Sequence, residues 1–133
     1  MSDQEVILLD NFCSDLGLEI VFAGRGRVTL SSYSVTRPGL QLAGFFKYFG
    51  STRILVLGNT EYEFLRSLPV EVRQERLAKL LSYKDIPCII LSRDLPVLHE
   101  LIEEARKTGC PILRTDKVTT AGMNDLCFYL NEK

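Results

Sequence analysis

The chain is short of the residues that most chemistry needs. It has a single histidine, His99, and four cysteines, and its 16 Lys and Arg nearly balance 17 Asp and Glu, for a formal net charge of -1. With no net field, nothing draws nucleic acid or acidic lipid to the surface in bulk. Arg25 and Arg27 form a small basic tip, and Arg73, Arg76 and Lys79 fall on one helical stretch where Glu71 and Glu75 dilute them. Nucleic-acid binding would want basic residues interleaved with aromatics, so no nucleic-acid partner is expected. The longest apolar runs, residues 54–57 and 88–91, are far too short to span a bilayer. The start, Met1-Ser2-Asp3-Gln4-Glu5, is acidic where a secretory signal would be basic. The expectation is a cytoplasmic protein with no membrane partner.

Cys13, Cys88, Cys110 and Cys127 lie far apart, with no Cys-x-x-Cys. Metal ligands clustered by short spacing are therefore missing, and no metal or cofactor is expected in this chain. Cys88, Cys110 and Cys127 read as buried free thiols that behave as small hydrophobes; Cys13 stays undecided. Gly24-Arg25-Gly26 is the one Gly-x-Gly, but Thr29 takes the place of the third glycine and no helix follows. Nothing fits a Walker A loop or a Gly-x-Ser-x-Gly elbow. Helical phase sets His99 opposite Leu98, Leu101 and Ile102, facing solvent beside Glu100 and Glu103. No catalytic residue is expected.

What is present is a core. Hydrophobic residues make up 46% and charged residues 25% of 133 positions, the balance of one globular domain over residues 1–133. Leu9, Phe12 and Leu16 predict a helix over residues 4–15 ended by Gly17. Residues 18–23 and 28–33 read as strands joined in a hairpin through Gly24-Arg25-Gly26-Arg27. Residues 53–58 form an apolar run ending in glycine, as a strand buried on both faces does. Thr60 and Glu63 then suggest a capping box, with Phe64, Leu65 and Leu68 as the apolar face of the helix. A second helix spans residues 70–82, with Leu77, Leu80 and Leu81 inward and Arg73, Glu75, Arg76 and Lys79 outward.

Residues 87–92 make the next strand, and Asp94 is expected to cap a helix through Val97, Leu98, Leu101, Ile102 and Ala105, closed by Gly109. Residues 112–114 form a short strand, and residues 120–131 a last helix through Met123, Leu126, Cys127 and Leu130. Three strand-then-helix units in succession argue for an α/β fold. Its sheet should be mixed but mainly parallel, flanked by helices in a three-layer-like arrangement, with the early hairpin at its flank.

One segment, residues 34–49, is dense in special residues: Ser34, Arg37, Pro38, Gly39, Leu40, Gly44, Phe45, Phe46, Tyr48 and Phe49. Arg37 offers five donors at a strand end beside a Pro-Gly turn. Gly44 would permit a close backbone approach. Two readings stand. In one, the aromatics cap the core and Arg37 pairs with a local carboxylate or carbonyl. In the other, Ser34, Arg37, Pro38, Gly39, Leu40, Gly44, Phe45, Tyr48 and Phe49 line a ligand pocket or a protein interface.

That stretch resembles the N-terminal domain of bacterial HPr kinase/phosphorylase. The match runs through Ser34-x-x-Arg37-Pro38-Gly39-Leu40-x-Leu42-x-Gly44-x-Phe46-x-Tyr48-Phe49 and Arg53-Ile54-x-x-Leu57-Gly58-x-Thr60-Glu61, then Phe64-Leu65 and Pro87-Cys88-Ile89-Ile90. It closes with Pro111-Ile112-Leu113-Arg114-Thr115 and Thr119-Thr120. The resemblance implies a non-catalytic regulatory or assembly domain of an enzyme that phosphorylates a serine of HPr and removes that phosphate. Such an enzyme controls the sugar phosphotransferase system and carbon catabolite repression. It implies ATP and Mg²⁺ in a separate C-terminal kinase domain, whose linker would begin near residue 133. That kinase domain and HPr are the implied partners, with a homo-oligomer as a further one. It also implies a fold similar to the N-terminal domains of muramyl ligases. Beside it, Arg37 and the turn after it leave small-anion or nucleotide sensing as an alternative role, and the aromatics of residues 45–49 a stand-alone protein-interaction module.

Overall fold

A computed structural model describes residues 5–30, 35–47, 49–118, 124 and 126–129. Ser34 and Tyr48 lie outside the described residues, as do Met123 and Leu130. The elements run β1 (Glu5–Leu8), α1 (Leu9–Leu16), β2 (Glu19–Phe22), β3 (Arg27–Leu30), β4 (Val35–Thr36), α2 (Gly39–Leu42), β5 (Ile54–Leu57) and α3 (Asn59–Ser67). They continue α4 (Val70–Leu81), β6 (Ile89–Leu91), α5 (His99–Thr108) and β7 (Ile112–Arg114), with residues 124 and 126–129 helical beyond them.

Five strands form one sheet in the order β2-β7-β6-β5-β4. β4, β5, β6 and β7 are parallel neighbours, and β2 closes the β7 edge antiparallel. Side chains alternate across this sheet, as a pleated strand requires. Leu55, Leu57, Ile89, Leu91 and Ile112 meet Leu42, Leu65, Leu77, Leu80, Leu101 and Ala105 of α2–α5 on one face. Ile54, Val56, Cys88, Ile90 and Leu113 meet Phe12, Cys13, Val28, Leu30 and Leu126 on the other. The fold is therefore α/β, a mostly parallel sheet flanked by helices.

Several expectations change. The first helix is shorter than residues 4–15, because Glu5–Leu8 pairs antiparallel with β3 and buries Ile7 against the core. Leu8 is extended at φ -62, ψ 138, and Gly17 ends α1 in the left-handed region at φ 67. The hairpin does not form. β2 pairs with β7 and β3 with β1, because Val21 and Phe22 pack on the helical side while Val28 and Leu30 pack on the opposite side. The link between them is a passage from one layer to the other. It is pinned where Arg25 N–H donates to the Gly109 carbonyl at 2.9 Å. A Cβ on Gly24, at φ 56, would lie 2.3 Å from that same oxygen, so only glycine fits.

The capping frame moves as well. Gly58 is the N-cap of α3, and its N–H donates to Glu61 Oε1 at 2.7 Å, in place of a Thr60–Glu63 box. Glycine ranks with threonine as an N-cap, so both frames satisfied the pattern. Asp94 caps no helix. Arg93 and Asp94 sit at φ 56 and 55, their amides held by the Lys117 and Thr115 carbonyls, and α5 starts at His99. Arg73 and Arg76, expected outward, turn along the surface to bond carbonyls of other helices. Cys127, expected buried, is exposed, and Cys13, left undecided, is buried. His99 is solvent-facing as expected, with Nε2 2.8 Å from Glu103 Oε1. Among the described residues no helix is long and apolar enough to cross a membrane.

Candidate functional site

Parallel pairing of β4 with β5, in the register Thr36↔Leu55, brings the ends of the two strands together. Arg37 leaves β4 there and Gly58 leaves β5, at the edge where open α/β sheets gather polar groups. Glu61 stands in the first turn of α3, three residues after Gly58. Arg37 Nε and Nη2 both donate to Glu61 Oε1, at 3.0 and 2.8 Å. The Gly58 N–H donates to the same oxygen, so it accepts three bonds. Glu61 is 7% exposed and the Arg37 side chain 36%. A carboxylate so deep needs its cation, since a buried charge left alone is costly. The negative charge also suits the N-terminal end of a helix.

Pro38 and Gly39 then turn the chain into α2, with Leu42 fully buried under it. Arg76 Nη1 donates to the Leu42 carbonyl at 2.8 Å, satisfying the end of that helix. Gly44 follows at φ 103, where a Cβ would stand 3.4 Å from the Arg76 guanidinium. The aromatics divide. Phe46 stacks on Tyr83 at 5.8 Å between centroids and Phe49 meets the same ring edge-on at 5.0 Å, both packed against the core. Lys79 Nζ lies 4.9 Å above the Phe46 ring. Phe45 points out, 49% exposed, beside Leu40 at 65%, and the Phe45 N–H donates to the Leu40 carbonyl at 2.9 Å.

The structure thus joins Arg37 to the sheet edge through Glu61 and pairs Leu40 with Phe45 on the surface, while Phe49 faces inward. Sequence reasoning missed Glu61 as the partner of Arg37, and missed Arg76 and Tyr83 as the supports of the 39–49 turn. A glutamate in the first turn after a strand-ending glycine was the available signal for the first. No pattern along the chain flagged the other two.

The buried thiols Cys88 and Cys110 are chemically quiet. Burial pushes Cys88 well above its ordinary range, helped by the neighbouring Cys110 and Cys13 thiols and opposed by Arg25. Burial likewise raises Cys110 to about 12, against the pull of Arg25. On the α1 side of the sheet, at the strand ends, Leu16, Leu18, Val56, Ile90, Ser92, Thr115, Lys117 and Leu126 enclose about 20 Å³, room for roughly one water.

Comparison with known proteins shows what the chain is similar to. A family model described as HPr Serine kinase N terminus matches residues 7–130. HPr kinase/phosphorylase of Clostridium perfringens strain SM101 is 39% identical over 127 residues, 96% of this chain and 41% of that protein. The same enzyme of Clostridium botulinum strain Eklund 17B is 42% identical over 90% of this chain and 39% of its own length. That of Caldanaerobacter subterraneus subsp. tengcongensis is 38% identical over 97% of this chain and 42% of its own length. The chain therefore spans about two fifths of the length of these relatives. A crystal structure of the CBS and DRTGG domains of the Clostridium perfringens pyrophosphatase regulatory region, complexed with the activator diadenosine tetraphosphate, superposes with a TM-score of 0.60. It covers 90% of this chain and 46% of that one at 16% identity, a likeness of fold alone.

Proposed function

Because this chain belongs to the family of HPr serine kinase N-terminal domains, we propose that it is the non-catalytic regulatory or assembly domain of a bifunctional HPr serine kinase/phosphorylase. The observation that carries the reading is the family match over residues 7–130 in a chain that spans 41% of a 39%-identical relative. Phosphoryl transfer, with its ATP and Mg²⁺, belongs in this reading to a C-terminal kinase domain. HPr is the substrate, the phosphotransferase system and catabolite repression are the setting, and the cytoplasm is the location. A homo-oligomer is the assembly it would serve.

The polar constellation supports a structural task over a chemical one. Arg37, the strongest anion-binding candidate, directs two of its donors to Glu61, which leaves them committed within the fold. The outward side of the same segment, Leu40 and Phe45, is the surface offered to the kinase domain, and Ser34 and Tyr48 complete its sequence motif. The finer fold likeness, to the N-terminal domains of muramyl ligases, belongs to this reading; the parallel β4–β7 sheet with helices packed on it supports it.

Incubated with HPr, ATP and Mg²⁺, the 133-residue chain should place no phosphate on serine. Phosphoserine on HPr would overturn the non-catalytic assignment. Joined to the kinase domain, a Leu40→Ser/Phe45→Ser variant should change the oligomer mass or the kinase-to-phosphorylase ratio while the isolated domain keeps its Tm. A fusion unchanged in both respects would remove the interface from this surface.

A further inference from the structure

On the opposite side of the molecule the β1–β3 ribbon has an edge of β1 that no other strand of the described residues pairs. The register Glu5↔Leu30, Val6↔Thr29, Ile7↔Val28, Leu8↔Arg27 continues to the bond from Leu9 N–H to the Gly26 carbonyl, 3.1 Å. In an antiparallel ladder that bond fixes the phase: alternate residues point their backbone groups at the partner strand and away from it. Ile7 and Leu9 face β3. The N–H and C=O of Val6 and the N–H of Leu8 therefore face away from the ribbon. A groove of about 410 Å³ runs beside them, lined by Glu5, Val6, Ile7 and Leu8 along β1 and by Asn11, Ser14, Asp15 and Tyr129 across from it. Above the edge the Val6 and Leu8 side chains are 57% and 62% exposed. A two-stranded ribbon with a free edge is the arrangement that accepts a further strand.

The charge of the groove selects the occupant. Its charged lining residues are Glu5 and Asp15, with no Lys or Arg among the described lining residues. Asp15 also receives the Tyr129 hydroxyl at 3.1 Å, which holds its carboxylate at the groove wall. A second copy of the chain, added edge to edge about a two-fold axis, would bring its own α1 against this one. That helix carries Asp10 and Asp15 and no basic residue, so like charges would meet. We propose that the β1 edge is a docking site for an extended peptide segment of a partner protein. Basic side chains on one face of the peptide reach Asp15, and apolar ones on the other face cover Val6 and Leu8.

The test uses three synthetic peptides against the chain: alternating Lys-Val, the same with Glu in place of Lys, and alternating Lys-Val interrupted by proline. Amide hydrogen exchange is read at Val6 and Leu8 with and without peptide. The Lys-Val peptide should slow exchange at both amides, and its binding should weaken as salt rises. The glutamate and proline peptides should give no protection. Val6→Pro removes an outward N–H at an edge position that tolerates proline, and should abolish protection at Leu8. Asp15→Asn, which keeps an acceptor for Tyr129, should weaken binding roughly threefold to fivefold, the scale of one exposed charge pair. The proposal falls if the glutamate peptide protects equally, if no peptide protects, or if Asp15→Asn binds unchanged. It also falls if the two amides become protected with chain concentration alone, which would make a second copy the occupant.

Discussion

The two faces of the five-stranded sheet are built by different means. On one, α2 to α5 come from successive crossovers, and arginines tie the helices to one another. Arg73 donates to the Leu65, Arg66 and Leu68 carbonyls at the end of α3 and to Glu100 of α5 at 2.9 Å. Arg76 secures the end of α2, and Gln74 reaches Glu104. On the other face, α1, the β1–β3 ribbon and residues 126–129 arrive from the two ends of the described chain, and the contact is almost wholly apolar around Phe12. Local chain order assembles the first face, with polar bonds fixing its angles. The second depends on long-range packing.

The largest test of that contrast is Phe12→Ala. Phe12 is 0% exposed at the centre of the apolar face, so its truncation should cost about 3–5 kcal/mol in urea unfolding. A single transition would show that the ribbon side unfolds with the sheet. A separate early transition would show it to be an independent unit.

Next is Arg73→Ala, which leaves the Glu100 carboxylate, 14% exposed, without its guanidinium. The loss should be about 3 kcal/mol. Arg73→Ala/Glu100→Ala should lose less than the two single variants summed, with a coupling of about 1–2 kcal/mol. Additive losses would mean that the carbonyl bonds, and not the ion pair, fix α4.

The smallest test uses the thiols, which stand on both faces. Cys88 belongs to the apolar face and Cys110 to the helical one. Both stay protonated in the fold above the ordinary value of 9.0, Cys110 up to about 12. Between about pH 9 and 12 the unfolded chain binds fewer protons than the folded one, so stability should fall as pH rises through that window. Melts from pH 8 to 11 should show the decline, and Cys88→Ala/Cys110→Ala should reduce it to the share of Cys13, which burial and Asp10 raise to about 11. Exposed Cys127 should be alkylated first in the native state.

The helical face was the more legible from the sequence, for the same reason that it is local. Leu77, Leu80 and Leu81 announce α4 by their period, Gly109 its neighbour's end, and residues 54–57 a strand covered on both faces. The other face was misread where pairing is distant. Nothing within residues 5–8 says that β3 will claim them, and Gly24-Arg25-Gly26 looks like a hairpin to any rule that sees only its neighbours. In the candidate site, Arg37 and its turn residues stood out by type. Its partner Glu61 lies 24 positions away and stood in the sequence only as the last residue of the motif over residues 53–61, with nothing to tie it to Arg37.

The sequence by itself determined the α/β class, the parallel units and the unusual residue content of the 34–49 segment, because period, punctuation and residue type are local quantities. Only the tertiary structure decided that Arg37 is bound to Glu61, that Phe46 and Phe49 turn inward while Leu40 and Phe45 do not, and that among the described residues β3 alone pairs with β1. Those outcomes turn on which strand lies beside which. Strand pairing is settled by burial and hydrogen bonding between residues far apart along the chain.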